Sequence, residues 1–175
     1  MPEPVIIVPY NPQWPGIYEK EKKRVLRTLG DKAQVIEHIG STSVPGLGAK
    51  DIVDIAVGVK GRSEAEECRE LLESIDFTKV TPQPDHTEWF YCLGKTPGMV
   101  PRFHLHLMKY PSPFWNKHIR FRDYLRAHPE VAREYFELKK SLADYYCTDR
   151  IGYTDAKTDF IEKVIEKAGY CEYDS

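Results

Sequence analysis

The segment His38-Ile39-Gly40-Ser41-Thr42-Ser43-Val44-Pro45-Gly46 brings together residue types that can hold a phosphate. An extended run ending in Gly-Ser leaves backbone N–H groups free, lets an anion approach without a side chain in its way, and adds hydroxyl donors. The same residues also build ordinary turns. The phosphate loop of kinases and ATPases is excluded, because Gly46 is followed by Leu47 and not by Lys and then Ser or Thr. His38 stands just before the bend, placed either to orient Ser41 or Thr42 or to make a structural hydrogen bond. Further along, Asp54 is the lone acid inside the apolar run Ile52-Val53-Asp54-Ile55-Ala56. Two-metal phosphoryl transfer generally takes two acids at i and i+2, which strand alternation points into one site. Ile52 and Ala56 hold those positions here, and Asp51, three residues away, faces the opposite side of an ideal strand.

His104-Leu105-His106 supplies a second set of groups. Alternation puts both imidazoles on one face, about 6.6 Å apart along a strand, a span that one metal ion or one phosphate bridges. Neutral imidazole suits zinc or manganese better than magnesium. A hydrogen-bonded structural pair is the competing reading. A hydrolase of the histidine-triad kind would need a third histidine two residues on, where Met108 stands. Arg120, Arg122 and Arg126 fall on or near one predicted helix with Asp123 as a local partner. They form either an exposed salt-bridged face or a guanidinium clamp on an anion.

The elements that must position these groups follow from pattern. The β-branched run Val5 to Val8 predicts a strand, and Trp14, Ile17, Tyr18, Val25, Leu26 and Leu29 predict a helix that Gly30 stops. Strands are expected over Val35 to Ile39 and over Ile52 to Val59, the latter apolar enough to be buried on both faces. Ser63 and Glu66 form a capping-box signature for a helix burying Leu71, Leu72 and Ile75. Glu88 to Leu93 and Arg102 to Met108 predict an antiparallel hairpin around the turn-rich Gly94-Lys95-Thr96-Pro97-Gly98. The last third is helical: Ser112-Pro113 and Pro129 suit first turns. Val131, Tyr135, Leu138, Leu142 and Tyr145 make one apolar stripe, and Phe160, Ile161, Val164, Ile165 and Ala168 another.

A chain of 175 residues with 41% hydrophobic and 30% charged residues can close one core without staples. A net charge of −2 gives no reason to expect a long nucleic acid, whose recognition needs many phosphate contacts, but leaves a small anionic ligand open. No stretch approaches the roughly 18 apolar residues of a membrane span. The start, Met1-Pro2-Glu3-Pro4, lacks the basic and apolar regions of a secretory signal, so a cytoplasmic location is expected. Cys68, Cys92, Cys147 and Cys171 are scattered without a C-x-x-C pair and are expected as reduced thiols.

The order Gly-Ser, a short interval, then a carboxylate on an apolar strand is similar to the polymerase-beta-type nucleotidyltransferases. There the Gly-Ser element holds the triphosphate and strand carboxylates hold magnesium. A wider set of blocks resembles the GrpB family: Tyr10-Asn11-Pro12-Gln13-Trp14, the His38 to Gly46 segment, His104-Leu105-His106-Leu107, Phe121-Arg122-Asp123-Tyr124-Leu125-Arg126, and Tyr153 through Phe160. They run in order through nearly the whole chain.

The resemblance implies a single domain over residues 1–175, an α/β (α+β) fold. Its expected form is a mixed β-sheet of the polymerase-beta nucleotidyltransferase kind, helices on one face and a helical C-terminal layer. It aligns Lys50 with a family lysine and Lys157 with a Tyr-x-x-x-Lys block, both candidates to meet phosphate, and places Asp51 where the family often carries Pro. The family's substrate is not established.

The expected site therefore has Gly40, Ser41, Thr42, Lys50, Arg122 and Lys157 binding substrate. Asp54, His104 and His106 would act in catalysis and hold a divalent metal, whether magnesium, manganese or zinc. The expected partner is a nucleotide or small phosphorylated molecule, with no membrane. The expected activity is nucleotidyl or phosphoryl transfer to a small acceptor. A non-catalytic nucleotide- or phosphometabolite-sensing module is the first alternative, favoured by the missing second carboxylate and by family members resembling domains fused to a coenzyme A biosynthetic kinase. A metal-dependent hydrolase using His104 and His106 is the second.

Overall fold

The structure is a computed structural model that describes residues 4–80, 83–96 and 102–169. Its centre is a five-stranded mixed sheet in the order β1-β2-β5-β4-β3. The strands are β1 (Val35–Ile39), β2 (Ile52–Val59), β3 (Thr78–Lys79), β4 (Trp89–Lys95) and β5 (Arg102–Lys109). β2 and β5 run parallel in the middle, and the other neighbours pair antiparallel.

Alternation divides these two central strands cleanly. Val53, Ile55, Val57 and Val59 of β2 and Phe103, Leu105 and Leu107 of β5 point to one face and are almost wholly buried. Helices α1 (Trp14–Leu29) and α2 (Arg62–Glu73) cover that face, with Trp14, Tyr18, Val25 and Leu29 from α1 and Ala65, Cys68 and Leu72 from α2 in the same cluster. The other face carries Asp54 and Ala56 from β2 and His104, His106 and Met108 from β5. Trp115 of α3 (Pro113–Ala127) packs on Ala56 and Met108. The opposite end of that face, with Asp54 and His104, lines a cleft.

The C-terminal layer is built from α3, α4 (Pro129–Tyr146), α5 (Arg150–Asp155) and α6 (Thr158–Lys167). Ser112 caps α3 as expected, its hydroxyl oxygen accepting the Trp115 N–H at 3.1 Å. Val44 and Leu47, from the loop after β1, are buried among Leu125, Val131, Tyr135 and Val164. This loop therefore joins the sheet to the helical layer. Asp51 is also structural: its carboxylate accepts from the Trp14 indole at 2.7 Å and ties the entry of β2 to α1.

Several expectations are corrected. Val5 to Val8 forms no strand. The Val5 N–H donates to the Cys147 carbonyl and Val8 makes one isolated bridge to Ala49, while Pro4 and Pro9 at the run's ends have no N–H for a ladder. Ser63 does not cap α2, because the helix begins at Arg62 and leaves Ser63 inside its first turn. Glu64 instead accepts the Lys60 N–H at 2.8 Å. Leu71 is 38% exposed, since the buried face of α2 runs through Ala65, Cys68 and Leu72. Tyr145, at the far end of the α4 stripe, is 80% exposed.

The two-residue β3 and the short α5 were not anticipated. Pro97, Gly98 and Cys171 lie outside the described residues, among which Cys68, Cys92 and Cys147 are free thiols. No helix of the described residues is long and apolar enough to cross a membrane.

Candidate functional site

The antiparallel register of β1 and β2 sets Ile39 opposite Asp54, so the bend at Gly40 comes directly beside the acid. Gly40 has φ +70°, and a Cβ built on it would lie 2.5 Å from Asp54 Oδ2. Glycine is required twice there, for the left-handed backbone and for the close approach.

Ser41 to Ser43 then form one 3-10 turn, with the Ser43 N–H and hydroxyl both donating to the Gly40 carbonyl. The turn is pinned from behind. His38 Nε2 lies 2.9 Å from Thr42 Oγ1, and its ring stacks on Tyr18 at 4.5 Å. Burial pushes the His38 imidazole down to about 4, so it serves as a neutral positioning group.

Arg126 donates twice to the Ser43 carbonyl, at 3.0 and 2.8 Å. Arg122 donates to the Glu37 carboxylate, the His38 carbonyl and Asp123. The structure thus places Arg122 away from the cleft, in contrast to the expectation. Its side chain is buried, with Nε and Nη1 donating to protein groups, and it fastens β1 to α3.

On the sheet face, parallel pairing sets Asp54 opposite His104 and Ala56 opposite His106. His106 Nε2 lies 3.1 Å from Asp54 Oδ1, His104 Nδ1 lies 3.8 Å from the same oxygen, and the two rings are 6.4 Å apart, centroid to centroid. Burial opposes charge on both partners of the close pair. The hydrogen bond and mutual attraction outweigh it, holding Asp54 below the usual carboxylate range and His106 above the usual imidazole range. For His104, burial prevails over the pull of Asp54 and lowers its pKa, leaving a neutral imidazole beside an ion pair. Trp89 lies against His106 at 5.4 Å.

This donor set does not fit a metal bridging the two imidazoles. The His106 nitrogen that would ligate faces Asp54 and carries a proton, and no second carboxylate stands at Ile52 or Ala56. Among the described residues no group of three or more His, Cys, Asp or Glu is arranged to hold an ion.

Asp54, His104, Ser41 and Thr42 line a cleft of about 540 Å³, together with Lys50 from the segment entering β2 and Lys139 and Lys157 from the helical layer. Lys50 and Lys157 both rest on the buried ring of Tyr153, at 4.5 and 4.2 Å. Lys139 donates to the Gly48 carbonyl at 2.5 Å and lies 4.8 Å from the centre of the Tyr135 ring.

Burial is the main cause of the lowered pKa of each lysine, and the lysines repel one another. Lys139 falls to about 7 and Lys157 to about 8, while Lys50 is lowered by burial and then by Arg150. Among the described residues, Asp54 is the one acid lining the cleft. A site so built favours an anion, since each added negative charge relieves repulsion among buried cations.

Lys139 was missed from sequence, although a signal existed. Val131, Tyr135, Lys139 and Ala143 are buried at four-residue spacing, so a lysine occupies a core position of the α4 stripe. Arg150 and Ile151 of α5 reach the cleft mouth and were likewise not anticipated.

The family model described as GrpB protein matches residues 4–167. Among curated relatives, the glutamate-rich protein GrpB of Alkalihalophilus pseudofirmus is 34% identical, the match covering 93% of this chain and 95% of that protein. A dephospho-CoA kinase of Mycolicibacterium paratuberculosis is 29% identical over 79% of this chain, but the match spans only 39% of that longer protein. Among solved structures, the conserved protein GrpB from Enterococcus faecalis superposes with a TM-score of 0.77 at 31% identity, covering 93% of this chain and 96% of that one. On the match of its blocks, its fold and its near-complete coverage, the chain belongs to the GrpB family.

Proposed function

We propose that the cleft binds the phosphates of a nucleotide or related small phosphorylated molecule and transfers a nucleotidyl or phosphoryl group to a small acceptor. The observation that carries this reading is that Lys50, Lys139 and Lys157 line one cleft with Ser41 and Thr42, with Asp54 as the only lining acid among the described residues. Lysines with lowered pKa and no carboxylate partner among the described residues are costly unless an anion is their ligand. In this arrangement the lysines and the 3-10 turn hold phosphate oxygens. Neutral His104 takes the proton of an attacking hydroxyl, and the Asp54–His106 pair fixes the floor against which it works.

A divalent ion would enter on the ligand's phosphates and meet Asp54, supplying charge neutralisation. The non-catalytic sensing module is the second reading, favoured by the apolar residues at both i±2 positions around Asp54. The metal-hydrolase reading has no comparable support, since His106 is committed to Asp54.

Incubation with nucleoside triphosphates, Mg²⁺ or Mn²⁺ and a mixture of small hydroxyl-bearing metabolites tests the proposal. Transfer should release pyrophosphate or a shortened nucleotide, and Asp54→Asn or His104→Asn should abolish release. Tight binding without turnover would favour the sensing module. Absence of binding would reject both.

A further inference from the structure

One row of residues crosses four strands of the sheet. Pairing sets Ile39 of β1 opposite Asp54 of β2, Asp54 opposite His104 of β5, and His104 opposite Gly94 of β4. With neighbouring strands about 4.8 Å apart, the row runs about 14 Å from Ile39, next to the hydroxyl-bearing turn, to Gly94. The basic cleft lies along its first part, with Ser41, Thr42 and Asp54, and a second pocket of about 360 Å³ lies at its far end, with Gly94. Ile52, Val80 and His104 are walls of both, so the two spaces adjoin.

Gly94 is the member of this row without a side chain, and a glycine inside a strand costs stability unless something must come close to it. Unlike Gly40, it has no left-handed backbone, and the nearest backbone atom to a Cβ built there is the Phe103 carbonyl oxygen, 3.9 Å away. That Cβ would instead lie 3.0 Å from Val80 Cγ2 and 4.0 Å from His104 Cδ2. The missing side chain therefore keeps open the space beside a valine methyl and an imidazole edge. His104 faces two ways: Nδ1 lies 3.8 Å from Asp54 Oδ1, while Cδ2 is turned toward Gly94. Ile52 stands on the same face two residues before Asp54, where two-metal transfer would take a second acid. It gives an apolar wall at the place where the two pockets meet.

We infer that the second pocket receives the heteroaromatic base of a nucleotide whose phosphates lie in the basic cleft, with Gly94 open beneath the base and Ile52, Val80 and the His104 ring around it. The inference rests on the phosphate-binding reading of the first cleft and narrows it from small phosphorylated molecules in general to nucleotides. An inorganic phosphate or a short sugar phosphate covers one end of the row, whereas a nucleoside polyphosphate covers both. A flat ring gains by packing on methyl groups and on an imidazole. Its polar edge meets hydroxyls from Thr78 and Thr96, which also line the pocket.

Calorimetric titrations with tripolyphosphate and with ATP, at one Mg²⁺ concentration, separate the two ends of the site. Both should bind the wild-type chain once, ATP at least tenfold more tightly. Gly94→Val, which fills the open space without changing charge, should bring ATP to within twofold of tripolyphosphate and leave tripolyphosphate within twofold of its wild-type affinity. Ile52→Ser, at a position that is only partly buried, should weaken ATP at least threefold and tripolyphosphate less than twofold, and it decides the matter if Gly94→Val does not fold. In NMR spectra the His104 Cδ2–H signal should shift with ATP well beyond its shift with tripolyphosphate. Should the two probes bind the wild type equally, the base makes no contact, the subsite is wrong and the phosphate reading stands. Should ATP keep its advantage in the folded variants, the base lies elsewhere and the assignment is overturned. Should the variants weaken tripolyphosphate as much as ATP, the second pocket belongs to the phosphates and the assignment is likewise overturned. If neither probe binds, both readings fall.

Discussion

Gly40 and Asp54 touch across the β1–β2 pair so closely that a Cβ on the glycine would stand 2.5 Å from the Asp54 carboxylate. The contact joins the hydroxyl-bearing turn to the only acid lining the cleft among the described residues, and it makes residue 40 intolerant of any side chain. Gly40→Ala should cost about 1–3 kcal/mol of stability, from the left-handed backbone and the displaced carboxylate together. Phosphate binding should weaken as well. Gly46, at φ +80° but with nothing within 4 Å of a built Cβ, is the control, and its alanine variant should lose only the backbone part, on the order of 1 kcal/mol. Urea denaturation of the two variants separates the effects.

Lys157 should trade stability for binding. Its folded pKa of about 8 lies below the ordinary lysine value, with burial as the main cause, so the fold disfavours the charged form. The sign follows from linkage: the penalty is fully present below about pH 8 and is relieved as pH rises toward the unfolded value. Lys157→Met should therefore stabilise the protein at pH 7 by about 1–3 kcal/mol and flatten the rise in stability above pH 8. Denaturation midpoints at pH 7 and pH 9.5 check this.

Anion binding should draw protons onto the same cluster. Lys139 and Lys157 titrate near 7 and 8 in the free protein, and a bound phosphate favours their charged forms. Affinity should fall as pH rises from 7 to 9, by at most about tenfold per unit for each lysine. Calorimetry at pH 8 in two buffers of different ionisation enthalpy should detect net proton uptake.

The Asp54–His106 pair should be visible by NMR. With its pKa raised by Asp54, the His106 imidazole should stay protonated through neutral pH, whereas His104, lowered by burial, should stay neutral. Asp54→Asn removes the counter-charge, so His106 should lose its proton at a lower pH. Stability should fall by about 1–3 kcal/mol, less than for a fully buried pair because the carboxylate keeps some solvent contact.

The sequence made much of this site legible because its decisive relations are local. Alternation alone places His104 and His106 on one face and sets Asp54 apart from Asp51, and the limits of β1, β2 and α1 follow from apolar pattern and a stopping glycine. What escaped depends on packing between distant segments. Arg122 carries a charge that local pattern cannot aim, and Glu37 and the His38 carbonyl turn it away from the cleft. Val5 to Val8 has strand composition but no neighbour offering a ladder. Lys139 is the intermediate case: its four-residue spacing from Tyr135 put it on the buried stripe, and an apolar-only reading of that stripe passed over it.

Calorimetric titration of ATP into the wild-type chain and into Lys139→Met/Lys157→Met addresses the basic cleft most directly. The expected result is one site per chain, weakened by roughly tenfold or more in the double variant, as loss of charge-assisted bonds to phosphate requires. The account is contradicted if ATP does not bind, or if it binds the folded double variant as tightly as the wild type.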